Sequence, residues 1–186
     1  MRPGFAFGGS CLPKDLRALN YEGKRRDLEL PLLSSILPSN QRHIDRALTL
    51  ITDEGRRRVG MLGLSFKPGT DDLRESPLVE IAERLIGKGY ELRIYDPYVK
   101  PSVVTGANRA YMEAKLPHMA ALMVDDPDTL VAWADTIVVG HKTPGFADLL
   151  ARDRASSPDR ERHAVIDLSG MSEEWRGEAG YHGVCW

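Results

Sequence analysis

Val59-Gly60-Met61-Leu62-Gly63-Leu64 is a short, unbroken apolar run. A strand covered on both faces has no solvent side for polar residues, so such a run marks a strand buried in a parallel sheet. The residues after it agree. Ser76 is a helix-capping residue, and Pro77 suits a first helical position, where its missing N–H costs nothing. Leu78, Ile81, Ala82 and Leu85 then share one helix face, and Gly87 and Gly89 end the helix. Leu92-Arg93-Ile94-Tyr95 reads as a second strand stopped by Asp96-Pro97, whose aspartate is read as turn chemistry and kept out of the site.

The same texture continues toward the carboxyl end. Residues 98–120 carry a weak pattern, read as a short helix, a loop and a small segment near Leu116. Ala120 to Val124 is expected as a short strand, Pro127 to Ala134 as a helix and Thr136 to Gly140 as a strand. Phe146 to Arg152 follows as a helix, Val165 to Leu168 as a strand and Gly183 to Trp186 as a last edge strand. Strands alternating with helices at this spacing predict an α/β fold, a Rossmann-like three-layer domain around a parallel sheet.

Toward the amino end the texture is helical. One helix is expected from Pro13 to a stop at Gly23, and a longer one from Pro31 to Thr52. Leu33, Leu37, Ile44, Leu48 and Ile51 make its apolar stripe, which Pro38 should kink or split. No second helical layer covers these helices, which predicts a partner surface; packing on their own domain is the alternative. Asp53-Glu54-Gly55 sets the expected boundary between residues 1–54 and residues 55–186.

Chemistry concentrates in Gly8-Gly9-Ser10-Cys11-Leu12-Pro13-Lys14-Asp15. The glycines allow a tight turn and close approach, and Ser10 and Pro13 predict a helix start. Unpaired N–H groups and aligned peptide dipoles at that start favour a thiolate at Cys11, with Lys14 adding positive charge. Asp15 places a carboxylate one turn on, so the group has the makings of a covalent catalytic centre; an inert small cysteine is the plainer alternative. A second candidate is the loop leaving the first strand, Ser65 to Arg74, with Lys67 and Arg74 suited to phosphates or sugar hydroxyls. No Gly-x-Gly-x-x-Gly follows that strand, and an ordinary solvated loop is the alternative.

Composition bounds the rest. The 186 residues carry 27 acidic and 25 basic side chains, a net charge of −2 that gives no field to draw in nucleic acid. The two cysteines, Cys11 and Cys185, stand at opposite ends, which is no disulfide framework and fits a reducing cytoplasm. No apolar run nears the ~20 residues a membrane span needs. The five histidines lack ligand spacing, so no metal site is expected.

Gly4-Phe-Ala-Phe-Gly-Gly-Ser-Cys-Leu-Pro-Lys-Asp15 resembles the active-site motif of the nucleotide-sugar 6-dehydrogenases, the UDP-glucose/GDP-mannose dehydrogenase family. Lys67-Pro-Gly-Thr-Asp-Asp-Leu-Arg-Glu-Ser-Pro77 resembles their second signature. Gly87 to Pro97 and the ending Gly183-Val-Cys-Trp186 extend the likeness along the whole chain, as a carboxy-terminal part. The resemblance implies NAD-dependent oxidation of a sugar-nucleotide C6 alcohol to a carboxylate in two hydride transfers, in polysaccharide biosynthesis. Cys11 would capture the intermediate aldehyde as a thiohemiacetal that becomes a thioester, and Asp15 would position or activate the hydrolytic water. Lys14 and Arg74 would contact NAD, and Lys67 the nucleotide sugar. Arg2, Phe5 and Gly8 would line the substrate site, the arginine serving the neighbouring subunit of a homodimer built on the long helix. GDP-mannose, oxidised to GDP-mannuronate, is the favoured substrate and UDP-glucose the alternative. The family's NAD-binding domain, with its lysine, asparagine and glutamate, has no counterpart before the motif, so no turnover is expected from these residues alone. A non-catalytic nucleotide-sugar-binding or dimerisation module is the reading from another class.

Overall fold

The computed structural model describes residues 4–99, 106–156 and 163–184. Helices α1 (Leu12–Arg25) and α2 (Pro31–Asp53) precede strand β1 (Arg58–Leu62). Then follow α3 (Pro77–Gly87), β2 (Glu91–Tyr95), α4 (Gly106–Lys115), α5 (Pro117–Leu122) and α6 (Pro127–Trp133). The chain closes with β3 (Thr136–Val139), α7 (Phe146–Ser156), β4 (Ala164–Asp167) and β5 (Tyr181–Gly183).

All strand pairs are parallel, in the order β2-β1-β3-β4-β5. Every residue of β3 and β4 is buried, which is why their sequences carry no polar alternation. Side chains alternate between two cores. Met61, Ile94, Val138 and Ile166 pack with α2, α3 and α5; Leu62, Ile137, Val139 and Val165 pack with α6 and α7. The predicted three-layer α/β domain is therefore present. Strand order reverses between β1 and β3, and in open parallel sheets ligands bind at the carboxyl ends beside such a reversal.

Ser76 caps α3 as its sequence predicts, its hydroxyl accepting the Leu78 N–H at 3.2 Å with Pro77 opening the helix. Other elements depart from expectation. Of the two effects expected of Pro38, splitting does not occur, since α2 runs as one helix of 23 residues. Gly23 does not stop α1; it lies inside the helix, where a Cβ would stand 2.5 Å from the Leu30 side chain. Ala120 to Val124 is not a strand: α5 occupies most of it, and only Met123 bridges Ile94. There the helix keeps Met119 in the core instead. The last strand ends at Gly183, and Cys185 and Trp186 lie outside the described residues.

Helix α2 has two different ends. Ile44, Leu48 and Ile51 are buried against the sheet domain, each such side chain contributing about 1.5–3 kcal/mol. That half packs on its own domain, the alternative weighed from sequence. Its amino-terminal half, α1 and the link between them leave Leu19, Tyr21, Leu28 and Leu32 exposed, Leu32 at 76%. Among the described residues no helix is long and apolar enough to cross a membrane.

Candidate active site

The two segments singled out by chemistry lie against each other. The lead to α1 is fixed first by α2: the Phe7 N–H donates to Asn40 Oδ1, and Asn40 Nδ2 donates to the Phe7 carbonyl, both at 2.9 Å. Phe5 is buried in the core beneath. The chain then turns at Gly8-Gly9 onto the loop that follows β1. The Gly9 N–H donates to the Arg74 carbonyl at 3.1 Å. A Cβ at Gly8 would stand 2.0 Å from the Glu75 carbonyl oxygen, so no other residue allows this approach. Gly9, at φ +90°, lies on the Phe66 ring, which a Cβ would meet at 2.9 Å. One turn into α1, Arg17 makes a two-pronged ion pair with Glu75, at 3.1 and 2.8 Å. It holds the Glu75 carboxyl below the usual range.

Cys11 is exposed and is itself the N-cap of α1. Ser10 therefore does not take the capping position expected of it; its hydroxyl lies 3.8 Å from the Cys11 sulfur. The Asp15 N–H donates to the Cys11 carbonyl at 2.9 Å, which puts cysteine and aspartate on one helix face a turn apart. Lys14 stands beside Asp15 at 3.5 Å, both well exposed.

The facing loop supplies the cations. Lys67 is exposed, its ammonium 5.2 Å from the centre of the Phe66 ring that Gly9 rests on. Arg74 is held by Asp72, which accepts from its Nε and Nη2 at 2.8 and 2.7 Å and from its backbone N–H at 3.0 Å. The guanidinium keeps buried Asp72 below the ordinary carboxylate range, against the effect of burial. Arg74 is in turn raised, chiefly by Asp72 and further by the nearby Cys11 and Asp71 charges. An exposed sulfur at a helix N-terminus thus shares one rim with two cations, one exposed on the Phe66 ring and one clamped by Asp72.

A cleft of about 450 Å³ lies beside the joint, with Phe7, Arg17, Asn40, Glu75 and Tyr111 in its wall. Neither Cys11 nor Lys67 lines it. Arg2 lies outside the described residues.

Sequence reasoning passed over a second set of groups. Asp96 is 1% exposed and accepts from the N–H groups of Leu64 and Ser65, so it does more than shape a turn. His141 is buried beside it. The findable signal was position: both follow directly on the carboxyl ends of strands, where parallel sheets place their chemistry.

Residues 60–173 match the sequence profile of the UDP-glucose/GDP-mannose dehydrogenase family, UDP binding domain. The chain belongs to the UDP-glucose/GDP-mannose dehydrogenase family. Residues 1–42 match the central domain of the same family. Among individual relatives, GDP-mannose 6-dehydrogenase of Pseudomonas aeruginosa is 50% identical over all 186 residues, which cover 41% of that protein. The Azotobacter vinelandii GDP-mannose 6-dehydrogenase is 47% identical, again over 100% of this chain and 41% of the relative. UDP-glucose 6-dehydrogenase of Bacillus subtilis is 38% identical over 101 residues, covering 52% of this chain and 23% of that one. The crystal structure of a ternary complex of the Pseudomonas aeruginosa GDP-mannose dehydrogenase superposes with a TM-score of 0.89 over 100% of this chain and 41% of the other, at 50% identity. A UDP-glucose dehydrogenase from Pyrobaculum islandicum gives 0.77 at 30% identity, over 98% of this chain and 39% of that one. This family member thus spans about two-fifths of the length of its GDP-mannose relatives.

Proposed function

We propose that these residues are the thiol-bearing and nucleotide-binding part of an NAD-dependent GDP-mannose 6-dehydrogenase, with residues 1–54 the central segment and residues 55–186 the nucleotide-sugar domain. The observation that carries this is the seating of the Gly8-Gly9-Cys11 turn on the Phe66–Glu75 loop, which brings an exposed sulfur and exposed cations onto one rim. Identity of 50% to a GDP-mannose relative over the whole of this chain, against 38% over 52% of it for one UDP-glucose relative and 30% over 98% of it for another, favours guanosine and mannose.

In this reading Lys67 meets the diphosphate, and Phe5 and Gly8 shape the sugar end. The Cys11 sulfur adds to the C6 carbonyl carbon, its pair forming the C–S bond while the carbonyl oxygen takes the charge. Holding the carbon on sulfur keeps a reactive aldehyde from escaping, first as a thiohemiacetal and later as a thioester. Asp15, a turn from the sulfur, accepts a proton from the water that releases the acid. Lys14 and Arg74 suit an anionic cofactor, since one is an exposed ammonium and the other a guanidinium fixed in place by Asp72. NAD, when bound, supplies the two-electron acceptor for both oxidations.

Calorimetric titration with GDP tests the assignment. The 186-residue chain should bind GDP more tightly than UDP, and Lys67→Ala should weaken GDP at least tenfold. Equal binding by the Lys67→Ala protein would reject it. The exposed Leu19, Tyr21, Leu28 and Leu32 support a homodimer through α1, the first half of α2 and the link between them. Leu32→Asp should therefore lower the sedimenting mass to that of one chain, and an unchanged mass would exclude this face.

A further inference from the structure

We infer that Asp96 and His141 are positioning residues that set the Lys67 loop for the phosphate-bearing substrate, an inference resting on the substrate reading above. Three neighbouring strands, β2, β1 and β3, deliver their carboxyl ends to one buried point. From the end of β2, Asp96 Oδ2 accepts from the Leu64 N–H at 2.9 Å, the Ser65 N–H at 3.2 Å and the Ser65 hydroxyl at 3.2 Å. Its Oδ1 accepts the Tyr98 N–H at 3.0 Å. The Ser65 hydroxyl also lies 2.9 Å from the Lys67 carbonyl, so its single proton is shared between the carboxylate and the backbone of Lys67 itself.

From the end of β3, His141 Nε2 is 2.8 Å from the Ser65 carbonyl. A carbonyl only accepts, so Nε2 carries the proton. Nδ1 then faces Asp96 Oδ2 at 3.9 Å, too far for a hydrogen bond and an ion pair only when the ring is doubly protonated. The imidazole has room because Gly63, at φ +107°, has no Cβ; one there would stand 2.7 Å from Nδ1. Both peptide groups of Ser65 are thus held from flanking strands, and the direction in which Lys67 leaves the sheet is fixed by groups that never meet the ligand. Loss of the Ser65 carbonyl's partner leaves a buried acceptor unsatisfied, and the loop is the part free to move.

The test compares His141→Phe, which keeps a ring and loses the donor, with His141→Gln, which keeps an N–H near the Nε2 position. GDP affinity should fall about tenfold in His141→Phe and stay within about threefold in His141→Gln. Amide exchange at Leu64 and Ser65 should quicken about tenfold in the first variant only. Alkylation of Cys11 by iodoacetamide should proceed alike in both, which separates loop placement from general loosening. Ser65→Ala deletes only the shared hydroxyl; it should weaken GDP about threefold and keeps the test decisive if His141→Phe does not fold. Equal losses in the Phe and Gln variants, or wild-type affinity and exchange in His141→Phe, would overturn the inference. Failure of the wild-type chain to bind GDP, or indifference to Lys67→Ala, would instead reject the substrate reading and with it the ligand half of this inference; unaltered exchange would reject the positioning half alone.

Discussion

The cysteine-bearing turn and the loop it rests on are held in opposite ways. Phe7 to Cys11 has its fastenings in other segments: Asn40 of α2, the Arg74 carbonyl, and the close passage by Glu75. Its sulfur stays open to solvent. The Ser65–Asp72 loop is fastened from below by buried Asp96 and His141, and is braced within itself by Asp72 and Arg74. The difference fits the tasks proposed for them. A nucleophile has to be reachable and can tolerate contacts made through the backbone, whereas a group that aims a charge needs a base that does not shift.

That contrast can be broken by substitution, and the buried hub should give way at the greatest cost. Asp96→Ala leaves the buried Leu64 and Ser65 N–H groups without their acceptor and should lower stability by about 3–5 kcal/mol in chemical denaturation. A loss under 1 kcal/mol would mean the loop is not held from below. Gly8→Ala should cost less, about 1–3 kcal/mol, because the turn can lift from Glu75 at the expense of its packing. Its signature would be faster Cys11 alkylation with GDP binding retained; a full loss of GDP affinity would show that turn and loop form one unit.

The smallest effect distinguishes the regions by acidity. Burial lowers the His141 pKa below its ordinary 6.5, outweighing the opposing pull of Asp96 and the Ser65 carbonyl. Just below pH 6.5 the folded chain therefore binds fewer protons than the unfolded one. The stability His141 confers is present above that pH and declines as the pH falls, by at most about 1.4 kcal/mol per pH unit. Denaturation midpoints between pH 7.5 and 5.5 should show the decline, and His141→Gln should flatten it. An identical slope in the variant would place the titration elsewhere.

Most of the scaffold was legible because its signals are local. The run at Val59 to Leu64 and the Ser76-Pro77 pair each specify backbone geometry within a few residues, and β1 and α3 follow them. The bounds of α2 were legible at Pro31 and Gly55 for the same reason. What escaped depends on residues distant in sequence. Gly23 looks like a helix stop until Leu30 folds back onto it. Met123 sits in a strand-like run, yet helix α5 takes most of that run. Asp96 before Pro97 has the local look of a turn, and only the return of β1 beside it reveals a buried acceptor. His141 offered only its place after a strand, with nothing local to pair it with Asp96. The site was legible in its two halves, residues 8–15 and 65–74, but not in their contact, since nothing in either stretch specifies that Gly8 passes 2.0 Å, measured from an added Cβ, beside Glu75.

That passage has a practical bearing on chimaeras. A seam drawn at residue 55 to exchange halves between relatives would separate Gly8 and Arg17 from the backbone and carboxylate they are shaped to fit. Grafts that carry the cysteine stretch and the lysine loop from the same parent should fold with the sulfur in place, while mixed parentage leaves two surfaces that were never fitted to each other.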